Sequence, residues 1–403
     1  MPPDPALPAG PLRLEESWGA RNYASLQVVL SRGRGCEVWD VDGRRYLDFM
    51  GAYSASNLGH CHPRIVAALV EQAQTLDVIS RAFFSDRLGA LLQTSCRMLG
   101  FDKALPMNTG TEAIETALKA ARKWAYEVKK VAPDQAEIIC CTNNFHGRTL
   151  GAVSMSSNRE ARHGFGPFAP GFKTIAFNDA AALRAAITDR TAAFFVEPIQ
   201  GEAGIIIPHP EYLQHCAAIC QENDVLLITD EIQTGLGRAG HMLASHAYGV
   251  RPDATVIGKS LGGGVLPVSM MLGRRDVMDV FTPGTHGSTF GGFPIAAAVA
   301  TEALRIIGDE NLCSKAAETG ATLKAALQSI TSPHIASVRG LGLMLAVETE
   351  PKTLAAGDLV NRLLTQGILC KNVNEKVIRL APPLTIDTGQ IEEFINAFKN
   401  TVT

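Results

Sequence analysis

The sequence lacks several features that would assign it to a specialised class. None of its apolar runs is long enough to cross a membrane. Its 37 Lys and Arg residues nearly balance 40 Asp and Glu residues, so neither nucleic acid nor an anionic membrane is an expected partner. Residues 1–8 have neither the basic start and apolar core of a signal peptide nor the arginines of a transit peptide. We therefore expect a cytoplasmic protein.

The cysteines do not form a recognisable disulfide or metal-binding framework. There are nine, an odd number, and they are scattered, so reduced thiols are expected. Cys216 and Cys220 lie one helical turn apart, but no second pair of ligands follows them. Residues 60–62 read His-Cys-His, and without a partner cluster we favour a turn before Pro63 over a metal site. No bound metal is predicted.

Short apolar runs alternate with amphipathic stretches through the middle of the chain. This rhythm predicts an α/β fold with a mostly parallel sheet covered by helices on both faces. Residues 212–221 are one of the predicted helices. The predicted buried strands are residues 137–141, 192–196, 225–229 and 254–257.

The pattern changes near residue 290, which predicts a second and smaller domain of the α+β class. Its elements are two helices, a pair of antiparallel strands, one more strand and a last helix. The hairpin predicted at residues 37–48, with an Asp-Gly turn, is expected to pack with this domain. We thus predict an N-terminal segment (1–50), a large domain (51–290) and a small domain (291–403).

A lysine and an aspartate each follow one of the apolar runs. Residues 254–258 lead into Lys259, and residues 225–229 lead into Asp230. Ligands of open α/β sheets bind at the carboxyl ends of the strands, where both residues fall. An amine that forms a Schiff base and a carboxylate that partners a pyridinium nitrogen suit pyridoxal 5'-phosphate. Each residue alone has an ordinary alternative, a solvated lysine or a helix-capping aspartate.

Residues 108–113 form a turn of small polar residues, and an amphipathic helix follows this turn. A helix N-terminus presents free N–H groups and a positive dipole end, which suit a phosphate at Gly110 and Thr111. The alternative is ordinary capping of the helix by Thr109 or Thr111.

Two other strand ends carry an aromatic ring and charged groups. The ring of Phe145 can lie on a flat cofactor, and Arg148 can bind a carboxylate in a forked arrangement. Glu197 and Glu202 can balance a cationic substrate or position an arginine. The alternatives are a core phenylalanine, a surface arginine and a solvated glutamate.

These pieces occur in one order along the chain, and together they carry a resemblance. Over essentially its whole length the sequence resembles the class III, fold-type-I aminotransferases, which depend on pyridoxal phosphate. Members that act on ornithine are the most similar. The shared segments are residues 53–55, 59–63, 80–83, 105–110, 164–168, 196–204, 230–235, 286–289 and 379–384.

The resemblance implies roles for the residues around the cofactor ring. Lys259 would bond to the cofactor and then carry the proton that moves during transamination. Asp230 would keep the pyridine nitrogen protonated, Gln233 would donate a hydrogen bond to the ring hydroxyl, and Phe145 would stack on the ring.

The resemblance also implies how the phosphate is bound. Gly110 and Thr111 would bind it in one subunit, and Thr289 would reach the phosphate of the other subunit. The minimum unit is then a homodimer.

Substrate choice rests on five residues that match the ornithine-specific members. Tyr23 and Arg148 would hold the α-carboxylate of ornithine, and Tyr53 would shape the pocket. Arg379 would take a carboxylate of 2-oxoglutarate, and Glu202 would neutralise Arg379 while ornithine is bound. N-acetylornithine and 4-aminobutyrate aminotransferases are the nearest alternatives, and Tyr23 with Tyr53 argues against both. An inactive relative kept as a binding protein is disfavoured by the intact Lys259.

Phe293 departs from the family pattern, which has asparagine before the proline that starts the next helix. Phenylalanine cannot cap a helix, which costs on the order of 1 kcal/mol. We expect its ring to pack at the subunit interface or to narrow the entrance of the active site.

Overall fold

The computed structural model describes residues 10–402, so the expectation for residues 1–8 lies outside the described residues. The strands are β1 (Leu30–Arg34), β2 (Glu37–Asp40), β3 (Arg45–Asp48), β4 (Lys103–Met107), β5 (Glu137–Cys141), β6 (Phe172–Ile175), β7 (Thr191–Val196), β8 (Leu226–Asp230), β9 (Ala254–Ile257), β10 (Ser269–Gly273), β11 (Ile335–Leu341), β12 (Met344–Thr349), β13 (Ile368–Leu369), β14 (Lys371–Asn372) and β15 (Val377–Leu380).

Helical segments connect these strands. They are α1 (Pro11–Trp18), α2 (Gly51–Ser54), α3 (Pro63–Thr75), α4 (Leu88–Leu99), α5 (Gly110–Glu127), α6 (Leu150–Ser154), α7 (Arg159–Arg162), α8 (Ala180–Ala186), α9 (Tyr212–Glu222), α10 (Arg275–Met278), α11 (Pro294–Asp309), α12 (Leu312–Gln328), α13 (Ala356–Thr365) and α14 (Thr388–Val402), with 3₁₀ helices at Ala244–Tyr248 and Lys259–Gly262. Within residues 10–402, no helix combines the length and apolar character needed to cross a membrane.

The large sheet has seven strands in the order β4-β10-β9-β8-β7-β5-β6. The run from β9 to β6 is parallel, and only β10 is antiparallel to its neighbours. All four predicted buried strands are present, which confirms the mostly parallel α/β fold. The antiparallel strand β10 was not predicted.

Both faces of this sheet are covered, because alternate residues of each strand point to opposite sides. Ile138 of β5 and Phe195 of β7 lie in one buried apolar cluster together with α5. Their neighbours Ile139 and Phe194 lie in another, together with α9. The continuous apolar runs of the sequence therefore reflect burial on both sides of a parallel sheet.

Two four-stranded sheets lie outside the large sheet. One has the order β1-β2-β3-β13 and contains the predicted hairpin, in which Glu37 pairs with Leu47. Since β3 runs parallel to β13, the N-terminal segment is joined to the C-terminal part. The other has the order β11-β12-β15-β14. Helix α11 follows the predicted boundary at residue 291 but packs on α3 and α4.

Candidate active site

Lys259 follows β9 and opens a 3₁₀ helix with a left-handed backbone, φ 47°. Burial, together with the charge of Arg379, lowers the pKa of this amine to about 8, against the opposing effect of Glu202 and Asp230. Among the described residues, no group forms a hydrogen bond or ion pair with Lys259 Nζ. An amine with a lowered pKa and no protein partner is suited to bond to a carbonyl carbon.

Asp230 is the last residue of β8 and is held by two donors. His146 Nδ1 lies 2.7 Å from Asp230 Oδ2, and the Ile232 backbone N–H donates to Oδ1 over 3.0 Å. The carboxylate is 5% exposed, so its orientation is set by these contacts rather than by water. Because β8 and β9 are adjacent parallel strands, Asp230 and Lys259 lie at the same edge of the sheet.

A cavity of about 170 Å³ opens between these strand ends. Thirteen residues line it, and they lie at or after the ends of five strands of the large sheet. The lining residues are Gly110, Thr111, Phe145, His146, Gly147, Glu197, Ile199, Glu202, Asp230, Ile232, Gln233, Thr234 and Lys259.

The N-terminus of α5 forms one end of the cavity. Thr109 caps the helix in a reciprocal arrangement with Glu112, so Thr109, not Thr111, has the capping role. The backbone N–H groups of Gly110 and Thr111 find no acceptor among the described residues. Gly147, at φ 121°, lies so close to Thr111 that a Cβ on residue 147 would stand 2.5 Å from Thr111 Oγ1. Only glycine fits there, and the free N–H groups suit an anion.

Arg379, which is buried, and Glu202, which is partly exposed, form an ion pair beside the cavity. Arg379 Nη1 donates to Glu202 Oε1 over 2.5 Å, and Gln233 Nε2 donates to the same oxygen over 3.1 Å. Burial alone would raise the pKa of Glu202, but Arg379 and Gln233 lower it below its usual value. Gln233 was expected to contact the cofactor ring hydroxyl. Its side-chain nitrogen instead contacts Glu202, and that predicted role stays a prediction.

Tyr53 lies against the same arginine, with Arg379 Cζ 4.8 Å from the ring centroid. It belongs to α2, whose four residues from Gly51 to Ser54 all have positive φ, between 45° and 76°. Left-handed backbone costs roughly 1–2 kcal/mol per residue other than glycine. Strain of this kind persists where the surrounding structure imposes it, often at functional sites. Burial raises the pKa of Tyr53, so its hydroxyl is kept as a hydrogen-bond donor.

The other predicted residues lie toward the surface of the chain. Phe145 is 36% exposed, and Arg148 Cζ stands 5.5 Å from the centroid of its ring. Tyr23 is 78% exposed and does not line the cavity of its own chain. Thr289 is exposed and does not line the cavity of its own chain. The structure thus brings nine of the twelve predicted residues to the cavity or its ion pair.

Phe293 stands before α11 without capping it, as expected. Its ring packs edge-on against Phe290, with centroids 5.4 Å apart, and rests on the core around α11. It does not line the cavity between the strand ends, and its expected place at the subunit interface or at the entrance of the active site stays a prediction.

Sequence reasoning assigned no role to His146, which proves to be the partner of Asp230. Its signal was weak, because nothing in one sequence says that the loop after β5 reaches the end of β8. The two strands are separated in the sheet by β7.

The cavity fits pyridoxal phosphate. It offers an amine with a lowered pKa, a buried carboxylate held by His146, a partly exposed aromatic face and a pair of free N–H groups at a helix N-terminus. Each matches one part of the cofactor, and they surround a single space. No group of three or more side chains suited to a metal ion is found in residues 10–402.

Comparison with known proteins agrees with this geometry. The family model for Aminotransferase class-III matches residues 18–402. An ornithine aminotransferase of Bordetella pertussis is 53% identical over 380 residues, covering 94% of this chain and 92% of the relative. A structure of the Toxoplasma gondii ornithine aminotransferase, described with partial occupancy of PLP at its active site, is 46% identical with a TM-score of 0.94, covering 96% and 92% of the two chains. An acetylornithine aminotransferase of Elizabethkingia anophelis is 44% identical with a TM-score of 0.88, covering 96% and 97%. The chain belongs to the class III aminotransferases, and it is a pyridoxal-phosphate-dependent enzyme.

Proposed function

We propose that this aminotransferase acts on the δ-amino group of L-ornithine. The carbon product of the first half-reaction would be glutamate 5-semialdehyde, which cyclises to pyrroline-5-carboxylate. A 2-oxo acid, 2-oxoglutarate, then accepts the amino group and becomes glutamate. The observation that carries the proposal is the ion pair of Arg379 with Glu202 beneath the ring of Tyr53.

The ion pair suits an enzyme whose two substrates differ in charge. Ornithine brings a cationic amine, and 2-oxoglutarate brings two carboxylates. Paired with Glu202, Arg379 presents little net positive charge to ornithine; released from Glu202, it presents a forked donor to a carboxylate. Gln233 contacts both partners, so Glu202 keeps one hydrogen bond when the arginine leaves.

The bound cofactor supplies an electron sink that withdraws charge from the carbon next to the amino group. In our proposal Lys259 Nζ would attach the cofactor and, once the substrate has displaced it, would accept the proton that leaves the substrate carbon bearing the amino group. Asp230 holds a proton on the ring nitrogen, and the face of Phe145 supports the ring. The N–H groups of Gly110 and Thr111 hold the phosphate, and Arg148 with Tyr23 orients the substrate α-carboxylate.

N-acetylornithine is the second candidate substrate. It is favoured by the acetylornithine aminotransferase whose chain is 44% identical to this one. Acetylation removes the α-ammonium, so an enzyme for that substrate has less need to neutralise Arg379.

A screen of half-reactions tests the choice between substrates. Holoenzyme mixed separately with ornithine, N-acetylornithine, 4-aminobutyrate and lysine should lose its yellow colour fastest with ornithine. The rate is read from the visible absorption of the cofactor in single-turnover mixing. Faster conversion by N-acetylornithine than by ornithine would assign the enzyme to the second candidate.

Tyr53→Ile should weaken the reaction with ornithine and improve that with 4-aminobutyrate. The hydroxyl of Tyr53 is a donor in a half-buried pocket, and losing such a contact costs about 1–3 kcal/mol. The ratio of kcat/KM for the two amines is the measurement. Tyr53→Phe, which removes only the hydroxyl, should give the smaller change.

The same experiment needs a control for backbone strain, since isoleucine is β-branched and this turn is left-handed. Ala52→Ile places the same residue in the same turn with an exposed side chain. It should lower the melting temperature without changing the ratio of the two amines. An unchanged ratio in Tyr53→Ile would remove Tyr53 from the specificity pocket.

We further propose that the enzyme is a cytoplasmic homodimer in which Thr289 contacts the phosphate bound by the partner. Support comes from Thr289 being exposed and absent from its own cavity, while Ser288 beside it accepts a hydrogen bond from Asn108 at the start of α5. Light scattering should give twice the chain mass. Thr289→Ala should speed loss of the cofactor without dissociating the dimer, and a monomeric holoenzyme would contradict the proposal.

A further inference from the structure

Three buried side chains that can gain or lose a proton meet at the carboxyl edge of the large sheet. Asp230 ends β8, Glu197 follows β7 and His146 follows β5. His146 Nδ1 contacts Asp230 Oδ2 at 2.7 Å, and Glu197 Oε2 accepts the Phe145 backbone N–H over 3.0 Å. Exposure of each residue is 8% or less. Neither Glu197 nor His146 has a role in the reaction proposed above.

The other ring nitrogen of His146 is unusual. His146 Nε2 is buried and has no hydrogen-bond partner among the described residues. The ring is wedged edge-on against Phe195, with centroids 4.8 Å apart and planes at 86°. A buried polar atom without a partner is costly, and such atoms in native structures often mark a function. Packing therefore holds the imidazole in place while one of its nitrogens stays unused by the protein.

We propose that His146 is a positioning residue that holds Asp230 and that, together with Glu197, it sets the negative charge which Asp230 presents to the ring nitrogen of the cofactor. This inference deepens the proposed function and rests on the proposed placement of Asp230 at that nitrogen. His146 acts through Asp230 and does not touch the cofactor nitrogen itself.

The electrostatics of the cluster explain how the two residues act. Burial alone would lower the pKa of His146, but the hydrogen bond and charge of Asp230, and the charge of Glu197, raise it above its usual value. Burial raises the pKa of Glu197 to about 8, with Asp230 adding to the shift and His146 opposing it. The charge on each group thus depends on the others, which is a coupled titration.

Three other charged groups lie in or beside the same cavity. They are Lys259, Glu202 and Arg379, and the last two neutralise one another in their ion pair. Lys259 acts on both Asp230 and Glu197 and is not neutralised in this way, so the excess charge at this end of the cavity is set by Asp230, His146, Glu197 and Lys259 together.

The first test uses the protein without cofactor. Nuclear magnetic resonance of ¹⁵N-histidine-labelled apoenzyme should show one imidazole, absent from His146→Asn, that titrates above the usual value of about 6.5. Glu197→Gln removes the charge that Glu197 carries at and above about pH 8, so in that range the imidazole of His146 should lose its proton at lower pH than in the wild type. An unchanged titration in Glu197→Gln would overturn the role of Glu197.

Thermal melting of the apoenzyme is an independent test of whether Glu197 is protonated in the folded state. Glu197 binds a proton in the folded state between the pH where an unfolded glutamate titrates, about 4.3, and about 8. Folding stability should therefore decrease as the pH rises through that window. Glu197→Gln should flatten this dependence, and an equally steep decrease in the variant would contradict the buried, protonated carboxyl.

The second test uses the holoenzyme. His146→Leu removes both the hydrogen bond and the charge, whereas His146→Asn offers an amide N–H without a charge. The leucine variant should shift the pH midpoint of the visible absorption band and slow the first half-reaction about ten- to a hundredfold. The asparagine variant should recover part of the rate of the first half-reaction but not the wild-type pH midpoint of the absorption band. Equal midpoints in wild type and His146→Leu would overturn the proposal.

Phe195→Leu is the matched control, because it loosens the ring of His146 but leaves its hydrogen bond. It should lower the melting temperature and leave the pH midpoint unchanged. The substrate screen separates this inference from the proposed function: a preference for N-acetylornithine would refute ornithine as the donor and leave the expected midpoint shift untouched. A midpoint that moves equally in Phe195→Leu would assign His146 a packing role only.

Discussion

Lys259→Ala is expected to reduce transamination by several orders of magnitude while leaving the cofactor bound. The variant loses both the amine that attaches the cofactor and the group that moves the proton. Binding persists because the free N–H groups of α5 and the carboxylate of Asp230 remain. Loss of a nucleophile and an acid–base group together is the largest effect that a single substitution in this site should produce.

Single-turnover mixing with ornithine measures this effect, and the absorption spectrum of the dialysed variant measures retained cofactor. Added small amines should restore part of the rate, since they supply the missing proton carrier. Lys315→Ala, which changes an exposed lysine of α12, is the control and should keep full activity. Turnover near that of the wild type in Lys259→Ala would refute the site.

Arg379→Ala is expected to slow the half-reaction with 2-oxoglutarate far more than the half-reaction with ornithine. The variant removes a forked donor for a substrate carboxylate, a contact worth about 1.5–3 kcal/mol in a site shielded from water. Ornithine should be less affected, because Arg379 is then paired with Glu202. The measurement is the rate of each half-reaction in single turnover.

Glu202→Ala should show the opposite pattern. Arg379 is then permanently unpaired, so cationic ornithine should react more slowly, while 2-oxoglutarate and 4-aminobutyrate should react as fast or faster. Glu202→Gln is the matched variant, because it keeps the hydrogen-bonding shape without the charge and should behave like Glu202→Ala. If ornithine and 4-aminobutyrate slow equally, Glu202 is a structural carboxylate rather than a switch.

Much of the architecture could be predicted from local pattern. The four apolar runs became adjacent strands of the large sheet because a strand buried on both faces carries no polar alternation. The Asp-Gly turn gave the hairpin of β2 and β3, since few other residues adopt its backbone. Strand β10 was missed, although it is wholly buried, because a short apolar run does not by itself distinguish a strand from a segment of buried helix.

The residues of the site likewise fall into those that the sequence predicted and those that only the fold brings together. The sequence by itself determined which chemical groups end the strands: Lys259 after β9, Asp230 at the end of β8 and the turn of small residues before α5. These follow from residue type and from position relative to an apolar run, which are local properties.

Only the tertiary structure decided how those groups are combined. Arg379 reaches Glu202 across 177 positions of the chain, Tyr53 stands in a left-handed turn, and His146 holds Asp230 across an intervening strand. Such contacts depend on how the whole chain packs, because the energy that holds them comes from residues distant in sequence. The apolar pattern within one helix or strand indicates how deeply that element is buried. Which residue lies opposite a buried charge depends on the fold of the whole chain.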